Sequence, residues 1–258
     1  MKTISFGSLK GGTGKSSLAL LTARRLASAG KKVLVVDFDI NNSASFVLTP
    51  DNLSQLDPQN RKHLAAALQS ENLLDFVIPS KFQNIDLIRS SLYLVDLRTL
   101  STNRFRNLIK GIPDDTYDFV IVDTPPTYDN LVLNAYEGSD SVITPVLLNQ
   151  FDFNTANFLA AKLKTETSIF ENWKIVVNQW SYLCDNPNSS EHDYVELFNQ
   201  YFSNILNSHL PYTRLIKSVI DRQETVTDSQ RFEKIKIAIT SFVSEISGVD
   251  FSCVQGGF

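Results

Sequence analysis

The chain has 258 residues, 43% of them hydrophobic and 20% charged, with a formal net charge of −4; this is the composition of a soluble globular protein able to bury about 75% of its unfolded surface. No apolar run approaches the ~18 residues that a membrane-spanning helix needs, and the negative charge argues against a wholly basic nucleic-acid binder while leaving room for a local basic face. Two cysteines, Cys184 and Cys253, give neither a disulfide framework nor a metal-ligand spacing, so a reducing cytoplasm is the expected compartment.

Strand and helix signals then alternate along the chain. Thr3–Gly7 is a short β-type run with no secretory leader pattern ahead of it. Ser16–Ala29 reads as a helix stopped by Gly30, a residue favoured just past a helix end. Val33–Asp37, VLVVD, is apolar almost throughout, as a strand covered on both faces would be. Residues 49–60 read as a loop and Arg61–Gln69 as a short helix. Ile85–Ile88 is the next expected strand, followed by a helical stretch to about Lys110. Phe119–Val122, Val142–Val146 and Ile175–Val177 complete the strand set. Ser190–Asn207 carries aromatic and aliphatic residues at helical spacing with Ser190 as N-cap, and a last helix spans roughly Ser229–Ser247. The chain shows no repeat, low-complexity tract or composition break. A single α/β domain over 1–258, a doubly wound and mostly parallel sheet flanked by helices, is the economical expectation.

Between the first strand and the first helix stands SLKGGTGKSS. Gly11, Gly12 and Gly14 let backbone N–H groups converge on an anion without Cβ clashes. The helix N-terminus adds its positive dipole end. In this setting Lys15 would reach the β- and γ-phosphates of a nucleotide and the Ser16 hydroxyl would ligate Mg²⁺. The usual pattern G-x-x-x-x-G-K-[ST] asks for glycine at position 9, where the chain has Leu9 followed by Lys10.

Two further carboxylate positions belong with this loop. VLVVDFDINN places Asp37 and Asp39 at the C-terminal end of a buried strand, the edge where open α/β sheets bind ligands. YDFVIVDTPP ends a second buried strand in Asp123, as a strand delivering a carboxylate to a Mg²⁺-bound water would.

KGGTGKSS resembles the deviant Walker A motif of the ParA/MinD superfamily of P-loop ATPases, K-G-G-x-G-K-[ST]-[ST], which lacks the leading glycine. The resemblance is clear over residues 1–150 and thinner through Leu210–Val226. It implies that Lys10 crosses the interface of an ATP-bound dimer to the partner's phosphates, and that Lys10, Gly11, Gly12, Thr13, Gly14, Lys15, Ser16 and Ser17 form the phosphate site. It further implies that Asp39 orients the attacking water, that Asp37 belongs to the outer Mg²⁺ shell, and that Asn178 and Pro211 hold the adenine. After D-x-D the partition branch usually continues Pro-Gln-Gly; here Ile40, Asn41 and Asn42 follow.

The same comparison narrows the function. A nitrogenase-type iron protein needs cluster cysteines upstream of Cys184, where there are none. The tail SGVDFSCVQGGF suits neither a basic membrane-binding helix nor a tyrosine cluster. The leading expectation is a DNA-partition ATPase: ATP-driven homodimers, nonspecific DNA binding, and hydrolysis triggered by a ParB-like partner, in the cytoplasm and on the nucleoid. The alternatives are a protein-recruiting regulatory ATPase and an ATP-dependent small-molecule enzyme of the dethiobiotin synthetase or cobyrinate amidase type. Candidate DNA contacts are Arg98, Arg104, Arg106 and Lys110, on a stretch without acidic residues, and a second set of Arg214, Lys217, Arg222, Arg231, Lys234 and Lys236.

Overall fold

Successive residues of a strand face opposite sides of the sheet, so a run such as VLVVD demands cover on both. The computed structural model, which describes residues 1–50, 62–212 and 230–253, provides it. Its strands are β1 (Lys2–Phe6), β2 (Val33–Asp37), β3 (Ile78–Pro79), β4 (Ile85–Ile88), β5 (Phe119–Asp123), β6 (Ser141–Val146), β7 (Trp173–Trp180) and β8 (Leu210–Pro211). They lie in the order β3-β4-β2-β5-β1-β6-β7-β8, and only β3 with β4 is antiparallel. The expected doubly wound, mostly parallel α/β sheet is what the chain forms.

Helices α1 (Lys15–Ser28), α2 (Ser43–Leu48) and α8 (Gln230–Ser247) cover one face. The other face is covered by α3 (Leu64–Ala67), α4 (Arg104–Lys110), α5 (Asn130–Glu137), α6 (Gln150–Glu166) and α7 (Ser190–Tyr201). Alternation along β2 shows the division: Val33 and Val35 join the core under α1, Leu34 and Val36 the core on the opposite side. Because every central strand is parallel, all their C-terminal ends meet at one edge of the sheet, and the β1–α1 loop opens there.

Six strands lie where the sequence predicts them. Three helices it does not predict, α2, α5 and α6, follow the ends of β2, β5 and β6. Two of these have local signals: Asp129 Oδ1 accepts from Val132 N at 3.1 Å and Asn149 Oδ1 from Asp152 N at 3.0 Å, both as N-caps. The N-cap of α7 is Ser189, one residue before Ser190. That helix stops at Tyr201 instead of running to Asn207, because the next residues are taken by the edge of β7. Ile175 N donates to Asn204 O at 3.0 Å and Leu206 N to Ile175 O at 2.8 Å. The helical stretch expected up to Lys110 splits into a 3₁₀ segment, Leu92–Leu97, and α4. Around 61–69 the helix shrinks to α3, capped by His63 Nδ1, which accepts from Ala66 N at 3.2 Å.

Under the β1–α1 loop, Tyr136 of α5 is fully buried with its hydroxyl against Gly7. A methyl group at position 7 would overlap the tyrosine hydroxyl and ring. Gly7→Ala should therefore destabilise the fold by about 1–3 kcal/mol, the usual cost of overpacking a filled core. A lowered urea midpoint that Tyr136→Leu partly restores in the double variant would confirm the contact; an unchanged midpoint would refute it.

Candidate functional site

The loop between β1 and α1 is shaped by its glycines. Gly12 and Gly14 adopt φ of 80° and 101°, a region open to glycine at little cost. Gly14 caps α1 without any side-chain cap, so the first N–H groups of the helix face a cavity of about 660 Å³. Ser8 knots the loop from below: its hydroxyl accepts from Lys10 N at 3.2 Å and from Thr13 Oγ1 at 3.3 Å. On the far side, Asn178 at the end of β7 donates from Nδ2 to Thr13 O at 2.8 Å.

The two lysines of the loop go to different places. Lys15 lines the cavity with Ser16 and Ser17; it is buried, and its ammonium donates to Lys10 O at 3.0 Å. Burial lowers its pKa, and the charges of Asp123 and Asp39 work against that shift. Lys10 is turned out of the cavity. Its Nζ lies 2.5 Å from Asp152 Oδ2, and the lysine side chain is 31% exposed against 1% for the aspartate. The Phe151 ring lies beside it, 6.0 Å from Nζ.

The three acidic residues converge at neighbouring strand ends. Asp37 and Asp123 stand side by side in the β2–β5 register, both fully buried. Asp37 has both oxygens engaged. Oδ1 accepts from Asp39 N at 3.0 Å, and Oδ2 from Ser45 N and Ser45 Oγ, each at 2.7 Å. It thereby caps α2 from the preceding strand, where Asn42 at the N-cap makes no side-chain cap bond. This work as a cap is what the structure adds to its expected place near Mg²⁺. Burial pushes Asp37 up to about 6, against the lowering effect of the Ser45 and Asp39 hydrogen bonds. Asp123 is also raised, first by burial and then by the Asp37 charge.

Among the described residues neither oxygen of Asp123 accepts a hydrogen bond. An orphaned, buried carboxylate next to Ser16 and Lys15 fits a hard divalent cation. Asp39 lines the cavity, with Oδ1 accepting from Asn41 N and Asn41 Nδ2 at 2.9 Å each.

The opposite wall of the cavity is formed by Asn178, Gln179, Pro211 and Tyr212. The sequence pointed to Asn178 and Pro211; the structure brings both here, with the Asn178 amide spent on the phosphate loop. Gln179 has φ 62°, a conformation uncommon for a residue with a side chain, and sits at an irregularity in the β7–β8 pairing. Sequence reasoning missed Gln179, Tyr212 and Asp152. Only Asp152 had a local signal, the Asn-x-x-Asp cap pattern after β6.

The basic stretch around α4 folds as an amphipathic element, with Phe105, Leu108, Ile109 and Ile112 buried. Its arginines are engaged within the chain. Arg104 donates to Leu68 O at 2.9 Å and to Ser70 O, and lies 3.6 Å from Glu71. Arg106 pairs with Glu137 at 2.5 Å, and Arg98 lies 3.7 Å from Asp129. Lys110 and Lys234 are exposed and Lys236 is half-buried. Arg214, Lys217, Arg222 and the side chain of Arg231 lie outside the described residues.

A parallel sheet whose first strand opens into a glycine loop and helix N-terminus, with carboxylates on adjoining strands, defines a P-loop nucleotide-binding protein. A family model described as an AAA domain (AAA_31) matches residues 1–173. The chain belongs to that family and, with the relatives it matches, to the ParA/MinD superfamily of ATPases on its partition side. It is 28% identical over 261 residues to a virulence plasmid ParA family protein, pGP5-D of Chlamydia psittaci, covering 98% of this chain and 96% of that one.

Among solved structures, a putative plasmid partition protein of Borrelia burgdorferi bound to AMPPNP superposes with a TM-score of 0.74 at 20% identity, over 94% of this chain and 98% of the other. A single-residue variant of Cyanothece McdA in complex with ATP gives 0.79 at 18%, over 99% of both chains. Cobyrinic acid a,c-diamide synthase of Mycobacterium smegmatis with an ATP analog and magnesium gives 0.67 at 15%, over 100% and 99%. At these identities the structural likeness speaks for the fold.

The buried carboxylates give a pH signature. Asp37 has a folded value of about 6 against an ordinary 3.8, so the native state holds a proton that the unfolded chain releases. Its contribution to stability is therefore present at low pH and lost as pH climbs from about 4 through about 6. The Asp123→Asn variant removes the neighbouring charge. It should raise the nucleotide-free urea midpoint at pH 7.5 by roughly 0.3–0.5 M and flatten the dependence between pH 4 and 7. Parallel wild-type and variant curves would contradict the pairing.

Proposed function

We propose that the protein, as a single ATPase domain over 1–258, is a partition-type ATPase: it binds ATP and Mg²⁺, forms ATP-dependent homodimers, and hydrolyses ATP slowly until a ParB-like partner stimulates it. The observation that carries this reading is the divergence of the two loop lysines. Lys15 faces the cavity of its own chain, whereas Lys10 is turned out of it toward Asp152. A lysine directed away from its own nucleotide site is placed to serve another. The role of a cation supplied across an interface is to stabilise charge on the transferring phosphoryl group, an effect on the order of 10³–10⁵ in rate.

Within one site the parts divide as follows. The N–H groups at the start of α1 and the Lys15 ammonium hold the phosphates. Ser16 and Asp123 would hold Mg²⁺, with Asp37 adjoining; when bound, the ion neutralises charge on the β- and γ-phosphate oxygens. Asp39, at the cavity wall with Asn41 bracing one oxygen, orients the attacking water. Gln179, Pro211 and Tyr212 receive the base.

The dimer binds DNA nonspecifically through phosphate contacts, doubled by its symmetry. Because Arg98, Arg104 and Arg106 are paired within the chain, the weight of that contact falls on Lys110, on Lys234 and Lys236, and on Arg214, Lys217 and Arg222. The same pairing favours one other reading, a regulator that recruits a protein instead of DNA through the same ATP cycle. The likeness in fold to a diamide synthase is the basis for a third reading, a small-molecule enzyme; an outward Lys10 argues against it.

Lys10→Ala is expected to bind ATP as a monomer yet lose ATP-dependent dimers in light scattering; dimers at wild-type yield would remove that role. Asp39→Ala should lock the ATP dimer, with turnover reduced by about 10² or more. Anisotropy of a random-sequence duplex, with ATP–Mg²⁺, ADP–Mg²⁺ or no nucleotide, decides among the readings. Binding with ATP alone, weakening on a log–log salt slope of about −0.9 per phosphate contact, supports partition. Absence of binding in every state, with ATP-dependent dimers intact, favours the protein-recruiting regulator.

A further inference from the structure

The wall of the cavity that receives the base is held from a distance by the last helix. Residues 207–212 lead into that wall: Leu210 pairs with Asn178 and Pro211 with Trp180 across β7–β8, and Tyr212 N donates to Trp180 O at 3.0 Å. Two contacts seat this segment. His209 stacks on Trp180 with ring centroids 4.0 Å apart. Glu245 of α8 grips the two residues before His209 with four hydrogen bonds. Its Oε1 accepts from Asn207 N at 2.8 Å and Asn207 Nδ2 at 3.2 Å, and its Oε2 from Ser208 N at 2.9 Å and Ser208 Oγ at 2.5 Å.

A carboxylate that accepts two backbone and two side-chain donors fixes the path of the chain, because both of its oxygens must be met at once. Partial burial alone would raise the Glu245 carboxyl, but these hydrogen bonds outweigh it and hold the group below the ordinary range. It is ionised throughout the neutral range, where the clamp keeps all four acceptor contacts. Glu245 is not among the residues that line the cavity; it acts three to five residues upstream of Pro211 and Tyr212.

We infer that Glu245 is a positioning residue for the nucleotide base: it ties the Asn207–Tyr212 segment to the C-terminal helix, so that α8 sets affinity for the base without touching the phosphates. The inference rests on the reading of the cavity as an ATP site. It makes the outer surface of α8 and the base wall reciprocally linked, since any ligand that shifts the helix must change base affinity by the same factor as the nucleotide changes its own.

The test compares Mg²⁺–ATP with Mg²⁺–tripolyphosphate, which has the phosphate chain and no base, by calorimetric titration of the full chain. Glu245→Ala should weaken ATP about tenfold, and Glu245→Gln, which keeps one acceptor oxygen, about threefold. Tripolyphosphate affinity should stay within about twofold in both variants, because the phosphate loop is built from other elements. Unchanged ATP affinity in Glu245→Ala overturns the inference. An equal loss for both probes also overturns it, by placing the effect on the phosphate loop or the fold. A wild-type chain that binds tripolyphosphate but not ATP, or neither, removes the nucleotide reading and this inference with it.

Discussion

Two carboxylates, Asp37 and Asp123, lie side by side at the ends of β2 and β5 with no exposed surface. Like charges so close and so dry cannot both ionise without a cation between or beside them. The rest of the site can be understood as the answer to that constraint. Asp37 is met by Ser45 and the backbone of Asp39, and in being satisfied it starts α2 and sets the loop that carries Asp39. Asp123 has no comparably close hydrogen bond among the described residues, and only the Ser16 hydroxyl and the buried ammonium of Lys15 favour its charged form. The chain by itself therefore keeps a destabilising charge arrangement that a divalent ion and its phosphate would relieve. An ion bound there would link stability and ligand binding through one pair of residues.

Lys10 presents the complementary case. Its partner Asp152 is almost wholly buried at the start of α6, and that aspartate also accepts from Leu147 N at 3.2 Å. Withdrawing the lysine would leave a carboxylate in a dry site, which is far more costly than losing an exposed ion pair. For Lys10 to leave its seat, something must return more than the pair supplies. A triphosphate offers several charges where Asp152 offers one, so under the proposed dimer reading the exchange would run only when a nucleotide-loaded neighbour came within the reach of a lysine side chain. The Phe151 ring, 74% exposed and beside the same ammonium, shares that surface.

What could be read from the sequence was what is local in the chain. The phosphate loop, the two acidic strand ends and the six long strands each occupy a few consecutive residues whose types have one physical meaning, and all of them stand where they were expected. The failures are contacts between distant segments. Asp152 is 142 residues from Lys10, and nothing in either neighbourhood announces the other. The end of α7 was misplaced because helical spacing continues through Phe202 and Ile205, while the open edge of β7 claims those residues for its own hydrogen bonds. The arginines around α4 looked like a free basic row because their partners, Glu71, Asp129 and Glu137, lie elsewhere in the sequence.

That division extends to function. The phosphate half of the cavity is written in one continuous stretch, and it is shared by ATPases whose tasks differ widely. The opposite wall, which the proposed reading gives to the base, is assembled from β7 and β8, and the segment leading into it is held to the last described helix by Glu245 with Asn207 and Ser208. A motif can therefore report the chemistry while remaining silent about what the chemistry is coupled to. Coupling needs a path from the nucleotide to an outer surface, and this structure offers two: from Lys10 through Asp152 to the exposed start of α6, and from the base wall through Glu245 to α8. The first passes through charges that a neighbouring nucleotide can compete for. The second passes through hydrogen bonds from two backbone and two side-chain donors to a carboxylate carried by the helix. A partner that senses the bound state would engage the first path, and one that tunes nucleotide affinity the second.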